Sequence, residues 1–218
     1  MPKLTYFAVH GRGCASRLVL KHSGKQWVDQ HPGQDGVAPW AELKAANPMR
    51  GGLPWYEDDN GKVFNQSNAL LKALALDAGY KSDDPWVQYE SEWVFEVIAD
   101  FNAKDGSAAP FFKGAEATDE MREKSLECWK KMFDTLEDHF KDGRKYCAGA
   151  QITASDFKLL SMVVAMVENP HGKHPPFNQA VAAEYEKRPN VKRIMETVKS
   201  ENGTAAYIEE LYAKKWAF

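Results

Sequence analysis

The residues from Gly51 to Ala75 (GGLPWYEDDNGKVFNQSNALLKALA) constrain the chain more than any other stretch. A Leu53-Pro54 step leads into a short apolar run, and Asp58-Asp59-Asn60-Gly61 then supplies turn residues. Asn-Gly suits a tight hairpin, because both turn positions must accept positive φ. A second short run, Lys62-Val63-Phe64, precedes Asn65-Gln66-Ser67-Asn68. Ser67 is a natural N-cap, and Ala69, Leu70, Leu71, Leu74 and Ala75 follow at helical spacing. The stretch therefore predicts strand, hairpin, strand and capped helix. The start of that helix offers free N–H groups and a positive dipole end, suited to a carboxylate or phosphate.

Upstream, Lys3–Val9 alternates as a strand does, and His10-Gly11-Arg12-Gly13 breaks it. Ala15–His22 predicts a short helix, Gln26–Gln30 a second strand, and Pro39–Lys44 a helical turn with Trp40 and Lys44 on one face. The first 75 or so residues thus read β-α-β-α-β-β-α. Near Asp77 the pattern changes to a polar linker, and Asp83 or Asp84 caps a helix that begins at Pro85. No strand is expected beyond it. Trp86, Tyr89, Trp93, Val97 and Phe101 form one apolar stripe, and Ala103–Phe112 a break. A long helix from Thr118 buries Leu126, Trp129, Met132, Phe133, Leu136 and Phe140. The helix entered at Thr153-Ala154-Ser155-Asp156 is apolar nearly all round, as befits a bundle centre. Residues 169–177 read as a loop, and two more helices flank Pro189.

A net charge of -3 gives no electrostatic case for nucleic acid or an anionic membrane. The longest apolar run, near Leu159–Val167, is too short for a membrane span. MPKLTYF lacks the apolar core of a secretory signal. Three scattered cysteines (Cys14, Cys128, Cys147) suggest a reduced, cytoplasmic chain rather than a disulfide scaffold.

Three motifs, in order, carry a resemblance to one family. They are LTYF…GRG…R from Leu4 to Arg17; W-x-x-L-K at Trp40, followed by Leu53-Pro54, EDDNG and Gln66-Ser67-Asn68-Ala69; and T-A-S-D entering an apolar helix at Thr153. Together they resemble the cytosolic glutathione transferases, closest to the sigma and alpha classes, over essentially the whole chain. The resemblance implies an α/β thioredoxin-like domain over 1–78 that binds glutathione, and an all-α helical C-terminal domain over 84–218. It implies a cis peptide before Pro54 and a homodimer with each active site near the subunit interface.

It also implies roles. Tyr6 matches the catalytic tyrosine, which donates a hydrogen bond to the glutathione sulfur. A free thiol of pKa about 8.5 is only a few per cent ionised at pH 7, and lowering it about two units is worth ~2.7 kcal/mol. Arg12 matches the arginine beside that tyrosine. Gln66 and Ser67 would hold the γ-glutamyl carboxylate, Trp40 and Lys44 the glycyl carboxylate, and Leu53, ahead of Pro54, the cysteinyl backbone. Asp100 would reach the neighbouring subunit's γ-glutamyl amine. The acceptor pocket would draw on Val9, His10 and Phe101, with the tail near Trp216 as a lid. Read without the motifs, Tyr6 is an ordinary strand residue of the core, Ser67 a simple helix cap and Asp100 a solvated carboxylate.

Cys14, next to an arginine turn, suggests a thiol-transfer mechanism. Aligning Arg17-Leu18-Val19-Leu20 with that class puts its cysteine at His10, which disfavours it. His171 and His174 have a metal-like spacing without Cys or carboxylate companions, so no metal is expected. Four positions depart from the family pattern: Gly52 replaces a glutathione-contacting side chain, Arg50 an interface aromatic, Trp55-Tyr56 a pair of aliphatics and Lys72-Ala73 an Arg-Tyr pair. The expected activity is conjugation of glutathione, a co-substrate, to small electrophiles in detoxification. A glutathione-dependent prostaglandin isomerase and a non-enzymatic, crystallin-like structural protein are the alternatives.

Overall fold

The computed structural model describes residues 1–47, 50–103, 110, 113 and 116–217. The break expected over 103–112 lies, but for Ala103 and Pro110, outside them.

The N-terminal elements are β1 (Lys3–Thr5), α1 (Cys14–His22), β2 (Val28–Gln30), α2 (Trp40–Ala46), β3 (Trp55–Glu57), β4 (Val63–Phe64) and α3 (Ser67–Asp77). The strands form one sheet in the order β2-β1-β3-β4. β1 pairs with β2 in parallel and with β3 antiparallel, and β3 with β4 antiparallel. The β-α-β connection through α1 accounts for the parallel pair, and the hairpin for the antiparallel β3–β4 pair. Leu4 points into the core, where α1 supplies Leu18, Val19 and Leu20, and α3 Leu70, Leu71 and Leu74.

The hairpin differs in detail from the sequence expectation. Asn60 keeps negative φ, and only Gly61 of the pair is left-handed, at φ 78. The Asp58 carboxylate instead accepts the N–H groups of Asn60 at 2.9 Å and Lys62 at 2.8 Å. An Asx turn of this kind does locally what two positive φ values do in a two-residue hairpin.

The C-terminal elements are all helical: α4 (Pro85–Ala103), α5 (Asp119–His139), α6 (Ala154–Met162), α7 (Pro175–Glu186), α8 (Pro189–Ser200) and α9 (Thr204–Ala213). α6 continues into a wider π turn over Val163–Val167. α7 begins inside the stretch expected to be loop. The Pro175-Pro176 pair opens it, and His174 Nδ1 accepts the Phe177 N–H at 3.1 Å. Proline suits a first helical turn, whose N–H groups have no intrahelical acceptor. His174 is thereby a cap. α9 is a third helix where two were expected.

α6 is the hub, packed against α1 and α3 on one side and α4 and α8 on the other. Phe157, Leu159, Leu160, Val163 and Val164 are fully buried. The start of α6 is secured by Asp156, itself without exposure, whose carboxylate accepts the N–H groups of Cys147 and Thr153, each at 2.8 Å. Burial nevertheless pushes Asp156 up to about 6. A polar seam joins the sheet-bearing half to the helical half. His22 Nδ1 lies 2.7 Å from the Tyr80 hydroxyl, Asn202 Nδ2 donates to the His22 carbonyl at 3.0 Å, and His22 Nε2 is 3.6 Å from Glu201.

Asp156→Ala strips two buried N–H groups of their acceptor. Each orphaned donor is worth ~1–3 kcal/mol. The variant is expected to lose about 3 kcal/mol in urea denaturation, against less than about 0.5 kcal/mol for an exposed control such as Asp138→Ala.

Candidate functional site

Tyr6 extends the line of β1, with its N–H donating to Gln30 O at 3.0 Å. Its ring fits into the Gly11-Arg12-Gly13 turn. A β-carbon on Gly13 would lie 2.5 Å from Tyr6 Cδ1, and one on Gly11 2.6 Å from the hydroxyl. Gly11 also holds φ 37, which disfavours a side chain. The two glycines thus let backbone close on a buried phenol. The closure sets Arg12 N–H 2.9 Å from the Tyr6 oxygen, to which it donates. Burial raises the Tyr6 pKa, against the N–H and charge of Arg12, which lower it. The hydroxyl keeps its proton through the physiological range and can donate.

The Arg12 side chain is exposed, and no carboxylate of the described residues pairs with it. Its observed bond to Tyr6 is made by the backbone amide, a role that its identity as an arginine could not signal. Arg17, from the same motif, is fully buried. It donates to Asp29 Oδ2 at 2.8 Å, to Val9 O at 2.7 Å and to Phe7 O at 3.2 Å. His31 Nδ1 lies 2.9 Å from Tyr6 O. Arg17 and His31 hold the carbonyl groups of Tyr6, Phe7 and Val9, and the sequence pattern gives neither a site role.

The aromatic chain Tyr6–Phe7–Trp40–Trp55 links this phenol to α2 and β3, with ring centroids 5.8, 6.0 and 5.5 Å apart. Trp40 opens α2, and Lys44 Nζ lies 5.9 Å from its ring centroid. The Leu53-Pro54 peptide is cis. Trp55 Nε1 and Asn65 Nδ2 both donate to Arg50 O, at 3.1 and 2.9 Å, and tie that loop to the start of α3. Ser67 is the first residue of α3 rather than its cap. Gln66 holds the cap position, at φ 62 and ψ 100, without a side-chain capping bond. The first intrahelical bond is Leu70 N–H to Gln66 O at 2.8 Å. The N–H groups of Ser67, Asn68 and Ala69 therefore point out of the helix end. A non-glycine residue in this sparsely populated conformation carries strain of about 1–3 kcal/mol and points to a functional position.

The residues expected to form an acceptor pocket have separate packing partners. Val9 is half-buried and gives its carbonyl to Arg17. His10 has no exposure, lies edge-on to Trp216 at 5.6 Å and Tyr212 at 6.0 Å, and is lowered to about 4, chiefly by burial. The tail is docked rather than free. Trp216 packs against the Arg17 guanidinium at 4.7 Å and His31 at 5.5 Å, and its carbonyl accepts Asn169 Nδ2 at 2.9 Å. Phe101 packs into the helical core on Trp129 at 4.7 Å, and no hydrogen bond or ring contact among the described residues links it to Val9 or His10. Asp100 is exposed and lines, with Phe101, Cys128 and Met132, a groove of about 400 Å³ between α4 and α5. Cys14 is fully buried and pushed up to about 12, the opposite of a reactive thiol.

A small sheet with a cis-proline loop, joined to a helical bundle, defines a two-domain protein with a thioredoxin-like first half. Residues 102–211 match the family model for the glutathione S-transferase C-terminal domain. Glutathione S-transferase P of Bos taurus is 30% identical over 75% of this chain and 76% of its own length. Hematopoietic prostaglandin D synthase of Gallus gallus is 28% identical over 71% of this chain and 74% of its own. The glutathione S-transferase of Ascaris lumbricoides superposes with a TM-score of 0.75 at 24% identity, covering 96% of this chain and 97% of its own. The chain belongs to the glutathione S-transferase family.

Two measurements check the site. Gly13→Ala pushes a methyl into the Tyr6 ring and is expected to lower stability by ~1–3 kcal/mol in denaturant melts. In an ultraviolet pH titration, subtracting the Tyr6→Phe spectrum from wild type should show no phenolate from Tyr6 below about pH 10.

Proposed function

We propose that the chain is a glutathione transferase in which Tyr6 and Arg12 stabilise the glutathione thiolate for attack on a small electrophile. The observation that carries this is a buried, protonated phenol whose oxygen accepts the Arg12 N–H at 2.9 Å. A thiol near pKa 8.5 ionises while a phenol held above 10 does not, so Tyr6 would donate O–H to the sulfur anion. The bond that its oxygen accepts polarises the hydroxyl and strengthens that donation. The Arg12 cation favours the same anion.

The tripeptide would be held at three points. The open start of α3, with Gln66 and Ser67, suits the γ-glutamyl carboxylate. Leu53, before the cis Pro54, offers backbone N–H and C=O to the cysteinyl unit. Trp40 and Lys44 face the glycyl carboxylate. In the transfer step the thiol proton leaves to solvent, the sulfur forms a bond to the electrophilic carbon, and the leaving group departs with its electron pair.

Asp100, exposed on α4, is free to make a contact across a homodimer, and the transferase reading carries with it a cytoplasmic location and a role in detoxification. Arg12 in the turn after β1 favours a sigma- or alpha-like class. The likeness to the Gallus gallus prostaglandin D synthase supports a second reading, glutathione-dependent isomerisation of a prostaglandin endoperoxide.

Conjugation of glutathione to 1-chloro-2,4-dinitrobenzene tests the reading. Tyr6→Phe is expected to lower kcat/KM about 100-fold, the scale of losing one preorganised donor. Equal rates in wild type and variant would remove Tyr6 from the mechanism. A wild type that neither turns over nor binds immobilised glutathione would remove the transferase reading altogether.

A further inference from the structure

The chain leaves α9 through a left-handed residue. The N–H groups of Lys214 and Lys215 close the helix on Leu211 O at 3.2 Å and Tyr212 O at 2.9 Å. Lys215 holds φ 56, a conformation that favours glycine. A lysine is kept there only where its surroundings over-determine it, and such strain points to function. The next residue supplies the constraint. The Trp216 carbonyl accepts Asn169 Nδ2 at 2.9 Å, and Asn169 is itself buried. The Trp216 ring lies 4.7 Å from the Arg17 guanidinium, 5.5 Å from the His31 ring and 5.6 Å from the His10 ring.

Two of these neighbours hold the backbone around Tyr6. Arg17 donates to Phe7 O and Val9 O, and His31 Nδ1 lies 2.9 Å from Tyr6 O. Both also meet at the Asp29 carboxylate, with Arg17 Nε at 2.8 Å and His31 Nε2 at 3.8 Å from it. The same guanidinium stands 5.6 Å from the centroid of the Tyr6 ring. One cation is thus within cation–π range of the phenol and of the indole. An aromatic face against a guanidinium keeps water from it and strengthens the bonds that it donates. Trp216, remote from Tyr6 in sequence, is one side chain removed from it in space.

We propose that Trp216 is a positioning residue for the thiolate step: through Arg17 and His31 it holds the Tyr6 hydroxyl in the Gly11–Gly13 cradle, rather than covering the acceptor as a lid. The proposal rests on the transferase reading above. Without the indole, water reaches the Arg17 guanidinium and the loop that carries Tyr6 loosens. The hydroxyl then spends less time where it can donate to a sulfur anion. Trp216 itself makes and breaks no covalent bond.

Three variants separate the parts. Trp216→Leu removes the aromatic face and keeps apolar bulk, and Trp216→Phe keeps a face. Lys215→Pro fixes φ at about −65°, which the docked turn cannot accept, and so displaces an intact indole. The ultraviolet absorbance of the thiolate, titrated against pH in the glutathione complex, reads the step directly. The pKa of the bound thiol is expected to rise by about one unit in Trp216→Leu and in Lys215→Pro, and to stay close to wild type in Trp216→Phe. Below the wild-type value, kcat/KM of Trp216→Leu should fall about threefold, because a tenfold loss of thiolate is partly offset by greater nucleophilicity. The factor should be the same for 1-chloro-2,4-dinitrobenzene and the bulkier 1-chloro-2,4-dinitronaphthalene. In a Tyr6→Phe background, Trp216→Leu should add little, since the two act as one unit.

An unaltered thiol titration in Trp216→Leu and Lys215→Pro overturns the proposal. So does an equal loss in Trp216→Phe, a loss that grows or shrinks with acceptor size, or a full effect in the Tyr6→Phe background. Retention of the wild type on immobilised glutathione separates the two readings. A retained wild type whose variants titrate unaltered sinks the role of Trp216 alone. A wild type that is not retained sinks the transferase reading, and the role of Trp216 with it.

Discussion

The Arg17 side chain is the constraint on which the site depends. A guanidinium without solvent exposure is tolerated only where its donors find acceptors. Arg17 has three: the Asp29 carboxylate in the middle of β2, and the Phe7 and Val9 carbonyls that follow Tyr6. The Trp216 ring lies against the same cation. One charge thereby fixes the distance between β2, the loop leaving β1 and the docked tail. Tyr6 sits on that loop, so its place against Gly11 and Gly13 follows from the Arg17 bonds. Removal of Arg17 would leave the half-buried Asp29 carboxylate and the Phe7 and Val9 carbonyls without their donor.

Electrostatics then divides the site into regions of different character. Burial raises the Tyr6 and Cys14 pKa values and lowers those of His10 and Lys158. All four shifts favour the neutral form. For Tyr6 neutrality is an asset, because only the protonated phenol can donate. For Cys14 it rules out nucleophilic chemistry, and for His10 it leaves a ring packed as an aromatic against Trp216 and Tyr212. The Arg12 side chain lies exposed at the surface of the turn. Gly52 is exposed, and nothing lies within 4 Å of where a β-carbon would stand.

The order β-α-β-α-β-β-α followed by helices was legible because each signal is local: alternation over Lys3–Val9, turn residues at Asp58–Gly61, apolar spacing in α5 and α6. Helix starts were legible where side chains cap them, at Thr118, Thr153 and Asp84. The misreadings arose where a residue type has two local uses. Pro175-Pro176 opens a helix as readily as it fills a loop. Ser67 looked like a cap, yet Gln66 takes that place in a conformation that no composition rule anticipates. The separate surroundings of His10, against Trp216 and Tyr212, and Phe101, against Trp129, were not legible, because they depend on how the tail and α4 pack at long range.

The seam of His22, Tyr80, Glu201 and Asn202 bears on how the two halves behave as bodies. His22 comes from α1, while Glu201 and Asn202 join α8 to α9, far along the chain. Side chains of the second half satisfy polar groups buried in the first, and α6 packs directly on α1 and α3. Separating the halves would expose apolar core and orphan that seam in one event. The two halves are thus expected to melt in a single cooperative transition rather than two.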